Sequence, residues 1–245
     1  MESVNSGASE RLKATFRSLT WYEWLMAAVM VLIAANAMFQ AFTGTEAGGN
    51  PPWLTIVNFI SAAAGVFCVF FCAKASVSTH IFGLVNTVVY IVYLWYWHIW
   101  GTLCLETFVY LPMGVASWIH WARHRDEQRQ ELTKARKLNL RRNLLVAALV
   151  AAGTFVYHQI LLRAGGSVPL WDAATVAIGI AATVLQTLRY REQYYWWLVT
   201  DVVTVAMYIE HFDPVYLTKR SIYLIVAIIG LVNWLRLSRR NEDNQ

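Results

Sequence analysis

The sequence predicts an all-α integral membrane protein of eight transmembrane helices, on three observations. Only 14% of the 245 residues are charged while 58% are hydrophobic, against about 25% charged in an ordinary soluble domain. The apolar residues gather into eight segments of 17 to 22 residues, close to the length that crosses a bilayer core as a helix. Finally, 17 of the 20 Lys and Arg residues fall in alternate connections, the asymmetry that an even number of crossings produces.

Met1 to Thr20 is polar and contains Arg11, Lys13 and Arg17, after which Trp21 to Phe42 runs apolar for 22 residues as the first span. Gly48-Gly49-Asn50-Pro51-Pro52 is a turn, since Gly and Pro punctuate helices. Further spans are expected at Pro52 to Ala73, Val77 to Trp97, Thr102 to Trp121, Asn143 to Leu162, Leu170 to Leu188, Tyr195 to His211 and Tyr216 to Leu237. Because basic residues are retained on the cytoplasmic side, both termini of this multi-pass chain are expected in the cytoplasm. The basic loop Arg123 to Arg142 serves first as a topological anchor, with anionic membrane lipid as a further partner.

Other chemistries find no support. Cys68, Cys72 and Cys104 sit inside apolar runs without Cys-x-x-Cys spacing or paired His, so neither a disulfide framework nor a zinc site is indicated. His120 and His124 are four apart but lack further ligands. No Walker, Gly-x-Ser-x-Gly or His-Glu-x-x-His motif appears, so nucleotide-driven pumping and intramembrane hydrolysis are not suggested. No cofactor, metal or nucleic acid is implied.

The chain also repeats itself. Trp53 matches Trp171; Phe82, Asn86 and Tyr93 match Trp197, Asp201 and Tyr208; Gly114 and Trp118 match Gly230 and Trp234, at offsets between 115 and 118. Each copy holds three helices, and the intervening fifth makes the copies parallel, the 3+1+3 arrangement of SWEET-type transporters. The first helix is then an addition outside this core. The expected division is 1–50 for the N-terminus and extra helix, 51–122 for the first repeat, 123–165 for the basic loop and linker helix, 166–238 for the second repeat and 239–245 for the tail. Chance hydrophobic matching is the alternative, against which the polar match of Asn86 with Asp201 argues.

Candidate binding residues concentrate around Glu192 to Tyr208. Tyr194, Trp197, Asp201, Thr204 and Tyr208 recur at spacings of three and four, so rings, a carboxylate and a hydroxyl share one helix face. An acid in so apolar a segment marks a functional site by default; the plainer alternative is pairing with a neighbouring helix. Gln186, at the end of a Thr175, Gly179, Thr183 stripe, together with Asn86 and Tyr93, adds hydrogen-bonding groups. Each has a structural alternative: Gln186 bonding a carbonyl, Asn86 joining helices, Tyr93 lying at the membrane interface. Trp118 and Trp234 are expected in the membrane belt.

Several runs together resemble a known family: Phe82-Gly83-Leu84-Val85-Asn86, Trp118-Ile119-His120-Trp121, Trp171-Asp172 and Gly230-Leu231-Val232-Asn233-Trp234. The most specific is Arg189-Tyr190-Arg191-Glu192-Gln193 followed by an aromatic, two residues and Trp197. They are similar to the Pnu-type vitamin transporters, over about Trp53 to Trp234. The resemblance implies a SWEET-like fold, facilitated diffusion of a vitamin through the bacterial inner membrane, intracellular phosphorylation that traps it, and a homotrimer. Where riboside carriers of the family have Trp-x-x-Trp, this chain has Tyr194-x-x-Trp197, the form of the thiamine branch. Amide positions of those carriers are acidic here, as Asp201 and Glu106.

The expected activity is therefore that of a carrier, not an enzyme, for a cationic B vitamin, with thiamine ahead of nicotinamide riboside. Trp197 and Tyr194 would stack on the cationic ring, Asp201 and Glu106 would supply charge complementarity, and Tyr110, one turn beyond Glu106, would join the hydrogen-bonding groups. Alternating access would come from rocking one three-helix unit against the other, with Pro112 as a flexing point. The rivals are a sugar carrier, for which buried acids are less apt, and a membrane enzyme using Glu106 and Asp201 as acid and base.

Overall fold

Every apolar segment is helical, and the ends of the helices follow local chemistry. The computed structural model describes residues 10, 12–43, 51–96, 98, 100–126, 131–163, 169–210 and 214–243; the side chains at 37, 40, 41, 100–102, 172, 203–210, 214–220 and 241–243 lie outside the description. The helices are α1 (Trp21–Thr43), α2 (Pro52–Ala73), α3 (Thr79–Tyr96), α5 (Leu140–Arg163), α6 (Pro169–Thr187), α7 (Gln193–Glu210) and α8 (Pro214–Asp243). Between α3 and α5, α4 comprises an α-helical piece (Trp100–Leu105), a π turn (Glu106–Tyr110) and a second α-helical piece (Leu111–Arg123).

Pro52 opens α2, where a missing N–H costs nothing. The sequence placed the start of α5 at Asn143, yet it begins three residues earlier because Asn139 Oδ1 accepts the Arg142 N–H at 2.9 Å, an N-cap that extends the helix past its apolar stretch. Among the described residues, five helical stretches are long and apolar enough to cross a membrane: Pro52–Ala73, Thr79–Tyr96, Leu140–Arg163, Pro169–Thr187 and Ser221–Arg240. A shorter apolar stretch is Trp21–Asn36. The chain is thus an all-helical membrane protein.

It forms two compact units, Met1–Thr133 and Lys134–Gln245. In the first, α1 packs on α2, α2 on α3 and α3 on α4. In the second, α5 packs on α6, α6 on α7 and α7 on α8.

A short turn in each unit fixes where α3 and α7 begin. After α2, Ala75 takes a left-handed φ of 57°; its N–H donates to Cys72 O at 2.9 Å and the Ser76 N–H to Phe71 O at 2.9 Å. This is a Schellman motif, which uses the last carbonyls of a helix that would otherwise go unpaired. After α6, Arg189 has φ 65°, with its N–H on Gln186 O at 2.9 Å and the Tyr190 N–H on Leu185 O at 2.9 Å. Every partner in the second turn lies 114 positions after its counterpart, as from 75 to 189. Both left-handed residues also offer their carbonyls to a passing segment: Ala75 O accepts the Thr133 N–H at 2.9 Å, and Arg189 O the Arg136 N–H at 2.8 Å.

That register differs from the one read off polar matches. An offset of 114 aligns Gly65 with Gly179, Ser61 with Thr175 and Asn86 with Thr200, leaving Asp201 opposite Thr87. Packing agrees. The His80 ring meets Trp121 edge-on at 4.6 Å in the first unit, and the Tyr194 ring, 114 positions on, lies 6.1 Å from Trp234 in the second. Trp121 and Trp234 are both wholly buried whereas Trp118 is exposed. Trp234 is therefore a core residue and not a belt residue; the wholly buried tryptophan in the matching place of the first unit is Trp121, 113 positions earlier and so one residue off the register of the turns.

Gly230 exists in this position because the Tyr194 ring occupies the space of a side chain: an added Cβ would lie 2.8 Å from the phenolic oxygen and closer still to the ring carbons. Gly230→Ala is expected to destabilise the protein by about 1–3 kcal/mol through overpacking, seen as a lower melting temperature of the detergent-solubilised protein. An unchanged melting temperature would mean that the ring swings away freely.

Candidate functional site

In the second unit the face of α7 is built up from the turn that precedes it. Glu192 is buried; its Oε2 accepts the Leu138 N–H at 3.0 Å and its Oε1 the Arg191 Nε–H at 3.2 Å. Arg191 Nη1 donates to Ser238 Oγ at 2.7 Å, and Ser238 Oγ to Leu235 O at 3.2 Å. The first turn of α7 is thereby tied to α8 and to the segment ahead of α5. Arg189 donates from Nη1 to Lys134 O at 3.0 Å. Burial, aided by the neighbouring Arg136 charge, pushes its guanidinium down to about 10, since a charged group loses hydration in low dielectric.

On that anchored start, Gln193, Trp197 and Asp201 follow at spacings of four and drift slowly around one face. Asp201 is only 5% exposed, so its carboxylate is held inside the protein and is not presented to acyl chains. Trp197 is half-buried. Thr200, beside Asp201, turns its hydroxyl back onto Trp196 O at 3.0 Å. Gln186 is half-buried and lends its backbone carbonyl to the turn. Tyr194, expected as a stacking surface, is 4% exposed and wedged between Gly230 and Trp234. Thr204 and Tyr208 lie outside the described side chains.

Gln193 is a residue that sequence reasoning passed over. It is fully buried, and among the described residues neither its Oε1 nor its Nε2 has a hydrogen-bond partner. A buried amide left unmatched costs roughly 1–3 kcal/mol, so a satisfied counterpart is informative: Thr79, 114 positions earlier, donates to Cys68 O at 2.7 Å.

In the first unit Asn86 of α3 accepts from Ser61 Oγ of α2 at 2.7 Å through its Oδ1. Gly65 lies beside this pair, where an added Cβ would meet the same oxygen at 3.4 Å, an ordinary van der Waals contact. Asn86 thus joins two helices, the structural role foreseen as its alternative, and Ser61 was not anticipated. Tyr93 stacks on Tyr90 with ring centroids 6.0 Å apart. Glu106 and Tyr110, both half-buried, open and close the π turn of α4. Leu111 N–H donates to Glu106 O, a wide i to i−5 bond; Pro112, having no N–H, ends the regular pattern there. π turns of this kind recur at functional sites.

No group of three or more His, Cys, Asp or Glu side chains suited to a metal occurs among the described residues. In the second unit the face of α7 carries an aromatic ring, Trp197, a buried amide, Gln193, and a buried acid, Asp201.

Residues 55–236 match the family model described as nicotinamide mononucleotide transporter. The nicotinamide riboside transporter PnuC of Neisseria mucosa is 32% identical over 204 residues, 79% of this chain and 76% of that one. Its namesake from Haemophilus influenzae is 29% identical over 191 residues, 78% of this chain and 82% of that one. A crystal structure of the vitamin B3 transporter PnuC superposes with a TM-score of 0.69 at 28% identity, over 91% of this chain and 94% of that one. These relatives are named as transporters and none as an enzyme; with about three quarters of its length matched, the chain belongs to the Pnu-type vitamin transporter family.

Proposed function

We propose that the chain carries nicotinamide riboside into the cell by facilitated diffusion through alternating access. This reverses the order of the two vitamins expected from the sequence. Thiamine stood first because of Tyr194, but that ring is committed to packing on Gly230 and Trp234, and the relatives at 32% and 29% identity bear the riboside in their names. The observation that carries the reading is the buried Asp201 on the face of α7, joined to those names.

The same acid supports the riboside over its mononucleotide. A phosphate brings about −1.5 to −2 charges at neutral pH, which Asp201 and Glu106 would repel, and more strongly where water is excluded. The riboside instead carries a permanently cationic ring that a carboxylate and an indole face both attract. In this proposal Trp197 stacks on the ring, Asp201 and Glu106 supply charge, and Gln186, Gln193, Asn86, Tyr93 and Tyr110 furnish donors and acceptors. The π turn before Pro112 is the flexing point.

The proposed setting is the bacterial inner membrane, with eight spans in a SWEET-like 3+1+3 core plus α1 and both termini in the cytoplasm. The basic loop would meet anionic lipid, and the family resemblance supports a homotrimer. The split of 17 basic residues against 3 supports the orientation.

Calorimetric titration of the purified protein with nicotinamide riboside, its mononucleotide and thiamine is expected to rank the riboside tightest. Tighter thiamine binding would restore the first ordering, and equal affinity for the mononucleotide would remove the charge argument. Trp197→Ala is expected to weaken riboside binding by about 1 kcal/mol or more; unchanged affinity would take Trp197 out of the site. Asp201→Asn should lower affinity for the cation while sparing a neutral isostere, whereas equal loss for both would mean damage to the fold.

A further inference from the structure

The segment ahead of α1 is fastened to the first turn by a dense set of contacts. Glu23 is 2% exposed, and its Oε2 accepts the Thr20 N–H and the Thr20 hydroxyl, each at 2.7 Å. The same oxygen lies 2.9 Å from Lys74 Nζ, and that ammonium also donates to Ser18 O at 2.8 Å. Thr15, 1% exposed, places its hydroxyl 3.0 Å from Ser76 Oγ and 3.4 Å from Ser78 Oγ. Phe16 sits among Trp24, Phe67, Phe71 and Phe82 with ring centroids 5.0 to 6.2 Å away.

The segment ahead of α5 meets the second turn over a similar neighbourhood but not residue for residue: it also pairs with that turn by backbone through Arg136, as Glu131 and Thr133 do with the first turn. Lys134 O accepts from Arg189, and Ser18 O from Lys74, a donor one position earlier in the first turn than Arg189 is in the second. Leu138 N–H donates to Glu192, which at the turn's offset of 114 is the counterpart of Ser78, a partner of Thr15. Leu138 packs on Leu185 and Tyr190, with Val146 and Trp196 alongside; Leu185 and Trp196 are the counterparts of Phe71 and Phe82, both of which meet Phe16. Both helices follow directly on a polar cap, Thr20 for α1 and Asn139 for α5, each preceded by a buried leucine, Leu19 and Leu138. The order of packing, α1 to α4 and α5 to α8, is the same.

We infer that α1 is the counterpart of the linker helix α5, so that the chain repeats a strap followed by four helices, and that residues 12–23 form a clasp holding α1 to the first unit throughout transport. The clasp has at its centre an ion pair between buried Glu23 and half-buried Lys74. Removing one partner of such a pair strands the other without hydration, which is more damaging than removing both. An appended helix merely lying alongside would need none of these contacts.

The test uses the full chain. Glu23→Gln and Lys74→Met are each expected to lower the melting temperature of the solubilised protein by several degrees, and the double variant to lose less than the sum of the two. Two single variants that melt like the parent would overturn the clasp. In a background with Cys68, Cys72 and Cys104 replaced by Ala, Thr15→Cys with Ser76→Cys locks the strap by a disulfide. Riboside uptake into proteoliposomes is expected to continue with the lock closed. Loss of uptake on oxidation with recovery on reduction would show that the strap must detach, which contradicts the inference. Uptake by the reduced protein reports on the proposed substrate alone, and the melting measurements do not depend on it.

Discussion

A helix that ends at or within a bilayer must find donors for its last carbonyls, because no water is present to supply them. This requirement governs the chain. At the ends of α2 and α6 it is met by backbone alone, through Ala75 and Arg189 in the left-handed region. A non-glycine residue there costs on the order of 1–2 kcal/mol, and each turn offsets that with four hydrogen bonds, two within it and two to a passing segment. Once set, the turns decide which residue opens α3 and which opens α7. The phase of the α7 face, with Gln193, Trp197 and Asp201 on it, follows from Arg189 being the residue that bends.

The helices were legible from the sequence because their signal is long and continuous. Pro52 to Ala73 is found as read, its start fixed by proline and its end by the loss of apolar residues. The turns were not legible. A Schellman motif is recognised by a glycine after the helix, and neither turn has one. Without the turns, the repeat could be aligned only by matching polar residues, and the strongest such match, Asn86 with Asp201, is off by one position. A one-residue error on a helix is a rotation of about 100°, enough to move a residue from one face to another, whereas Trp118 and Trp121 are three residues apart, nearly one turn, so spacing alone could not choose between them. The packing supplies the correction: Trp121 and Trp234 are the only wholly buried tryptophans among the described residues, and each lies against the second residue of a helix, His80 of α3 and Tyr194 of α7.

The candidate site was legible in part, for a physical reason. Asp201 announces itself because an acid in an apolar run is rare, and its burial agrees with that. Tyr194 misled because sequence spacing tells which face a ring occupies but not what already fills the space before it; the filling residue, Gly230, lies on another helix 36 positions away. Gln193 was hidden for the opposite reason. At the end of a charged run it reads as a solvated residue, whereas the fold buries it completely.

α4 shows how backbone and side chain can point to the same conclusion independently. Pro112 cannot donate, so the helix in front of it widens into a π turn, and carbonyls that a regular helix would pair are left wanting donors. Irregular backbone at membrane depth is tolerated only where protein or a water-filled cavity surrounds it. An ionisable side chain at that depth faces the same restriction more strongly, because a carboxylate in hydrocarbon costs more than an unpaired carbonyl. Glu106 opens this very turn. The proline in the sequence and the acid six residues before it thus impose one requirement twice, that this part of α4 must face away from lipid, and they do so without reference to any bound molecule. A carrier for a flat cation would gain from that arrangement, since the irregular backbone and the carboxylate occupy the same turn of helix.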